Sequence, residues 1–296
     1  MANLKEIRTR IDSVSSTKQI TNAMKMVSAA KLRKAQDAII QMRPYAYKLH
    51  EILHHCQMCM PKKETPYYSH RELKKVLIVI IGSNRGLCGA FNINIAKKAI
   101  ELATKEYKTF FENKMVDLFC IGSKAEDYLK ARGYTIAKTG HDLLDELSFQ
   151  QTLPFIQSLM DSFTDGSYDK IEIIYNQFKN AAVHIITHET FLPLSLPEEF
   201  CSVEEIELAR HSYIIEPSGD FLIARLMPKV LKTEFYKALL ESAASEFGAR
   251  MTSMYKATDN ADHLIRELRM QYNKARQSSI TNEIIEIVSG AQALNK

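Results

Sequence analysis

Apolar residues recur at alternating steps of three and four over long stretches at both ends of this 296-residue chain. From Leu4 the stripe runs through Ile7, Ile11 and Val14, then Ile20, Met24 and Val27, then Leu32, Ile39, Met42, Leu49 and Leu53. Small Ala29 and Ala30 stand where two backbones can come close. This is the seam pattern of a helix packed on another helix. Pro44 interrupts it and predicts a kink or break, and Pro61 with Pro66 ends it. In the C-terminal third, Phe235, Leu239 and Ala243 lead into Ala257, Ala261, Leu264, Leu268, Tyr272 and Ala275, then Ile280, Ile284 and Ile287, with no proline after Pro228. At ~1.5 Å rise per residue, about 50 and about 65 helical residues make rods roughly 75 and 100 Å long, too long for a compact globule. Stripes at opposite ends of one chain cover each other by returning along one axis, so the pattern predicts an antiparallel pair with a left-handed supercoil.

Between the rods the period changes. KKVLIVIIG (Lys74 to Gly82), VDLFCIG (Val116 to Gly122) and KIEIIYNQF (Lys170 to Phe178) are short β-branched or aromatic runs. Helical stretches separate them, near Asn92 to Lys108, Lys124 to Arg132 and Leu153 to Phe163, which predicts parallel βαβ units. His184 to Thr190 adds an edge strand, and Tyr213 to Glu216 reads as a short extended piece. The expected fold class is α/β: a long antiparallel coiled coil of N- and C-terminal helices plus a central Rossmann-like α/β domain with a mostly parallel sheet. The boundaries are 1–60 and 220–296 for the coiled-coil helices and 74–195 for the central domain. Pro193, Pro197 and the acidic stretch Glu198 to Glu207 mark the return towards the second rod.

Composition narrows the function classes. Gly (10) and Pro (8) are scarce and Trp is absent, which leaves room for long helices. The longest wholly apolar run, Val76 to Ile81, is far short of the ~20 residues that span a bilayer, and the N-terminus lacks a signal-peptide core. Five cysteines at irregular spacing read as reduced thiols. The net charge of +4 is uneven, because residues 1–50 carry ten Lys/Arg against three Asp/Glu.

Four features invite a chemical reading. GSNRGLCGAFN (Gly82 to Asn92) lies between a strand and a helix, where α/β sheets cradle phosphates, so a dinucleotide-binding enzyme using Gly82 to Gly89 is one alternative. The spacing fits neither GxGxxG nor the P-loop, and a glycine-rich turn that lets strand, helix and a neighbouring rod approach closely is the better account. His54, His55, Cys56 and Cys59 cluster but lack the second ligand pair of a zinc site. His184 and His188 fall on an alternating strand pattern and read as structural; Cys88 beside Arg85 has no histidine nearby in sequence to activate it. A coiled-coil nucleic-acid binder using the basic first helix is the other alternative, but residues 1–43 offer no aromatic for base stacking.

SSTKQITNAMKMVSAAKLRKAQ (Ser15 to Gln36), SNRGLCG (Ser83 to Gly89) and YNKARQSSITNEIIEIVSGAQAL (Tyr272 to Leu294) closely resemble the γ subunit of F-type ATP synthases. The resemblance extends along essentially the whole chain. It implies a central rotor stalk without a catalytic site, cofactor or metal of its own, coupling proton translocation through the c-ring to ATP synthesis or hydrolysis on β subunits. Implied partners are the α and β subunits of the catalytic ring, the ε subunit and the c-ring, with no nucleic acid and no membrane insertion. Implied contacts with β are Met24, Lys25, Arg250, Arg276, Gln277, Thr281 and Glu283. Glu216 matches a c-ring contact, although Ile215 stands where some members have an aromatic residue. The absence of a transit peptide points to a peripheral position on the cytoplasmic face of a bacterial inner membrane. From Gln277 to Asn295 the only formal charges are Glu283 and Glu286, which predicts a tip that meets its sleeve by non-directional apolar contact.

Overall fold

The structure, a computed structural model, describes residues 4–58, 66–68, 71–145, 147–194, 216 and 218–294. The chain forms two compact units, residues 1–29 with 250–296, and residues 30–249. Helix α1 (Leu4–Met58) and the last helix, α6 (Gly219–Leu294), each contribute to both units. Tyr213 to Ile215 and Cys59 lie outside the described residues.

The larger unit is built on a five-stranded sheet of β1 (Val76–Ile81), β2 (Val116–Ile121), β3 (Lys138–Thr139), β4 (Lys170–Phe178) and β5 (His184–Leu192). The order is β3-β2-β1-β4-β5, parallel throughout except for β5, which runs antiparallel to β4. Strand β1 is buried on both faces, as a continuous β-branched run at the centre of a parallel sheet should be. Its odd-numbered residues Leu77, Val79 and Ile81 pack with Phe119, Ile121 and Ile173 beneath α5 (Phe149–Thr164) and α6. The even-numbered Val76, Ile78 and Ile80 pack with Leu118, Cys120 and Ile174 beneath α2 (Phe91–Glu101) and α4 (Ser123–Lys130). Period-two alternation along the strand therefore divides two cores.

Within this unit α6 is the middle layer. Leu231, Phe235 and Leu239 face the sheet, while Met227 and Val230 meet Leu49 and Leu53 of α1. Both carboxylate oxygens of Glu241 are used: Arg43 Nε donates to Oε1 at 2.9 Å, and Arg43 Nη2 and the Phe178 amide donate to Oε2 at 3.0 and 2.8 Å. The Glu241 side chain is 2 % exposed, so the fork from Arg43 is what makes its burial tolerable. The hydroxyls of Ser242 and Ser245 donate to the carbonyls of Ile81 and Asn176 and tie α6 to strand ends.

Three sequence expectations shift. Helix α1 is unbroken through Pro44. The carbonyl that Pro44 cannot serve belongs to Ile40, both residues sit on the exposed side, and buried Ile39 and Ala46 hold the helix on either flank. Helix α5 starts a turn earlier than expected, because Ser148 caps it by accepting from the Gln151 amide at 3.3 Å. Beyond α2 the chain makes one π turn, Leu102–Glu106, before the short α3 (Lys108–Glu112). That extra residue accompanies a buried contact, the Tyr107 hydroxyl donating to Glu172 at 2.7 Å.

Two glycines separate crowding from conformational strain. Gly122 has φ of +104° and a Cβ there would lie 2.6 Å from the Ser83 nitrogen, whereas Gly133 has φ of +82° and open space around it. Gly133→Ala should cost about 1 to 2 kcal/mol, the left-handed penalty alone. Gly122→Ala should cost roughly 3 kcal/mol or more, since backbone must also move. Urea denaturation of the two variants measures the gap, and equal losses would show that the close approach at Gly122 carries no energy.

Candidate functional surface

The smaller unit is a pair of helix segments, and its cross-helix contacts define the register. Lys18 forms an ion pair with Asp262, Thr21 lies 2.9 Å from Thr258 through their hydroxyls, and the Lys25 ammonium sits 5.8 Å from the Tyr255 ring centre. Moving seven residues forward from Lys18 to Lys25 moves seven back from Asp262 to Tyr255, which makes the pair antiparallel. Each threonine hydroxyl also reaches a carbonyl of its own helix, Lys18 O or Met254 O, so one donates across while the other donates back.

The inward positions keep a strict frame. On α1 they are Leu4, Ile7, Ile11, Val14, Lys18, Thr21, Lys25 and Ser28; on α6 they are Met254, Thr258, Ala261, Ile265, Leu268, Tyr272, Ala275 and Ser279. All are buried or half-buried. From Lys18 to Ser28 the frame is filled by polar side chains, and the apolar residues of that stretch turn outward: Ile20 is 61 % exposed and Val27 58 %. The sequence reading placed Ile20, Met24 and Val27 on the seam because it followed hydrophobicity; Met24 is half-buried, but Ile20 and Val27 lie one position off the frame. Leu264 is likewise exposed and its neighbour Ile265 is the buried one.

At the same step, Leu4 stands opposite Arg276. Past that point α6 has no counterpart among the described residues, and every residue from Ile280 to Ala291 is exposed. The seam frame continued beyond Ser279 falls on Asn282, Glu286 and Ser289, all polar. Ile280, Ile284, Ile287 and Val288 therefore lie off the frame, on a surface oriented for something other than α1. Arg276, Ile280, Glu283 and Ile287 share one stripe by their four-three-four spacing, and Gln277, Thr281, Ile284 and Val288 make the adjacent one.

The residues singled out in the sequence fall as follows. Lys25 is half-buried against Tyr255. Arg250 is 7 % exposed. Arg276, Gln277, Thr281 and Glu283 are exposed on the tip; the Thr281 hydroxyl donates to Gln277 O at 2.9 Å, and Ser279 donates to Glu283 at 3.3 Å. Glu216 is exposed, in the larger unit. Ile20, Met26 and Val27, outward on α1, were missed as surface candidates; their signal was a hydrophobic run too dense for a single seam.

The loop Gly82 to Gly89 is occupied by its own chain. The Ser83 amide donates to Asn92 Oδ1, and the Asn92 amide group donates to Ser83 Oγ and Cys88 Sγ. Asn84 donates to His141 O and Asp145, and Ser123 returns bonds to Asn84. A Cβ at Gly82 would meet the Ala125 Cβ at 2.8 Å, so the glycine admits α4 rather than a phosphate. Cys56, Cys88 and Cys120 are buried and form no disulfide with one another. Cys59 and the side chains of His54 and His55 lie outside what is described, and among the described residues no cluster of His, Cys, Asp or Glu has the makings of a metal site. His184 and His188 lie on β5, the first against Phe91 and the second 3.4 Å from Glu172. In the first helix, Lys18, Lys25, Lys31 and Arg43 all turn to partners within the protein.

The sequence pattern of the family described as ATP synthase matches residues 3–294. The chain is 52 % identical over 296 residues, all of both chains, to the ATP synthase gamma chain of Christiangramia forsetii. The chain belongs to the ATP synthase γ-chain family. The gamma chain of Bacteroides thetaiotaomicron is 43 % identical, with 98 % of this chain and 99 % of that one covered. Among solved structures, a chain of the Tetrahymena thermophila mitochondrial ATP synthase central stalk and c-ring is 26 % identical with a TM-score of 0.57, covering 80 % of this chain and 99 % of that one. A chain of the Euglena gracilis mitochondrial ATP synthase shares the fold at 21 % identity, with a TM-score of 0.70 and coverage of 98 % and 94 %. The γ chain is the central rotor stalk of the F-type ATP synthase and a non-catalytic subunit, in keeping with a glycine loop that serves packing. Among the described residues no helix is long and apolar enough to cross a membrane.

The register makes a sharp test. Ile265→Ala should lower the thermal stability of the helix pair by about 2 to 3 kcal/mol, as for a buried aliphatic truncation, and Leu264→Ala by roughly 0.5 kcal/mol or less. Hydrogen exchange at amides of 4–29 and 250–279 reads both; the reverse order would displace the seam by one residue.

Proposed function

We propose that this γ chain turns inside a ring of α and β subunits, driven through its foot by a proton-powered c-ring, and that its angle sets which β site is open. The helices within 1–60 and 220–296 form the axle, and the central domain, 74–195, lies outside the ring beside ε. The observation that carries this reading is the off-frame apolar tip, Ile280 to Val288, exposed and without a counterpart among the described residues of α1. Apolar contact is non-directional, so a tip of this kind keeps much the same energy at every angle and turns against a low barrier.

Directional groups then supply the bias. A shaft favours one conformation of a site only by binding it better than the alternatives, and charge-assisted hydrogen bonds depend on orientation strongly enough to do so. Arg276, Gln277, Thr281 and Glu283 border the apolar stripes and make such contacts to β at the tip. Met24 and Lys25 do so lower on α1. Arg250, almost fully buried, acts from within the helix pair by holding its neighbours in place. Glu216 meets the c-ring. Its bacterial relatives, from Christiangramia forsetii to Bacteroides thetaiotaomicron, support a complex on the cytoplasmic face of the inner membrane.

Two measurements bear on the reading. The chain should co-purify with α and β subunits, and alone it should hydrolyse no ATP; hydrolysis by the isolated chain at the rate of the assembled ring would overturn the assignment. In the assembled complex Arg276→Ala should slow ATP turnover by up to about one or two orders of magnitude, the equivalent of ~1.5 to 3 kcal/mol for a lost charged hydrogen bond. Unchanged turnover and torque would remove Arg276 from the mechanism.

A further inference from the structure

A cavity of about 450 Å³ opens in the larger unit between α1, α5 and α6. Its walls are apolar, from Met42, Phe149, Leu153 and the Tyr236 ring, and Phe149 meets Tyr236 edge-on with centroids 5.4 Å apart. Tyr45 of α1 also lines it, together with Lys229, Lys232 and Thr233, which are spaced along one stretch of α6. The volume is that of a small-molecule site, and a few convergent polar groups on an apolar cup are what such sites use to orient a ligand.

Neither lysine has an ion pair or hydrogen bond among the described residues, although carboxylates occupy Lys18, Lys75, Lys105 and Lys130 elsewhere in the chain. Thr233 is only 3 % exposed. Threonines on helices here, such as Thr104, Thr258 and Thr281, donate to the carbonyl four residues back. The Thr233 hydroxyl makes no such bond among the described residues; it keeps contact with solvent and opens onto the cavity. Phe149 and Leu153 come from the first turns of α5, whose N-terminal end adds partial positive charge to the same side.

We propose that this cavity binds a small amphipathic anion, with its apolar body against Met42, Phe149 and Leu153 and its carboxylate accepting from Lys229, Lys232 and the Thr233 hydroxyl. The charge requirement is specific: two cations and a donor hydroxyl offer nothing to a cationic head and little to a neutral one. Nothing in the rotary role calls for such a site, so it stands apart from torque transmission.

Calorimetric titration of the full chain with octanoate, and with 1-octanol of equal length, tests it. Octanoate should bind saturably and at least about fivefold more tightly than octanol, and the Lys229→Gln/Lys232→Gln double variant should abolish that preference. Thr233→Val, which keeps the shape of the side chain, should weaken octanoate with no loss in melting temperature. Absence of saturable octanoate binding, or equal affinity in the double variant, overturns the proposal. So does acetylation of Lys229 and Lys232 that is blocked in the assembled complex but unaffected by octanoate on the free chain, because the cavity then receives a neighbouring subunit.

Discussion

The burial of α6 between the sheet and α1 is the constraint on which the larger unit depends. From Val230 to Glu246 every position of that helix is buried or half-buried, so little of it is left for water. A helix so largely covered needs its buried polar side chains accounted for. Glu241 meets Arg43 and the Phe178 amide, Ser242 meets Ile81 and Ser245 meets Asn176. These bonds fix rotation and translation together, where apolar packing alone would leave neighbouring registers close in energy. Gly248 belongs to the same arrangement, since a Cβ there would lie 2.9 Å from the Ala181 carbonyl oxygen.

The helix pair of the smaller unit answers a different demand. Its frame is apolar at Ile7, Ile265 and Leu268 but polar from Lys18 to Ser28. Half-exposed ion pairs such as Lys18 with Asp262 contribute little to stability, on the order of 1 kcal/mol or less. Their value is register: an ion pair, a hydroxyl pair and a cation over a ring in succession are satisfied together at one axial offset. Turning the hydrophobic residues of this interval outward also equips a thin helix pair with an apolar surface on its far side.

Much of this was legible in the sequence, and the exceptions have physical causes. The strands of VLIVII, VDLFCI and KIEIIYNQF are evident because a central parallel strand must be apolar on both faces. Strand β3, only Lys138–Thr139 and exposed, carries no such mark and is defined by backbone pairing with β2 alone. The π turn before Tyr107 is invisible for a related reason: it goes with a buried hydroxyl–carboxylate contact whose partners are 65 residues apart. The seam was read from hydrophobicity and slipped by one residue at Ile20, Val27 and Leu264, because polar residues hold the true frame there. The tip stripe was plain from composition, but that it departs from the frame emerges only once the frame is known. The cavity on α6 left no trace in sequence, since it assembles two lysines and a threonine with side chains from two distant helices.

The exposed isoleucines at the end of α6 bear on the life of the chain before it joins others. A newly made copy displays this greasy, nearly uncharged stretch of helix at the moment when like molecules are nearby and nothing yet encloses it. Stickiness of this sort drives self-association as readily as correct docking. Whatever surface covers these isoleucines therefore keeps the chain in solution as well as docking it.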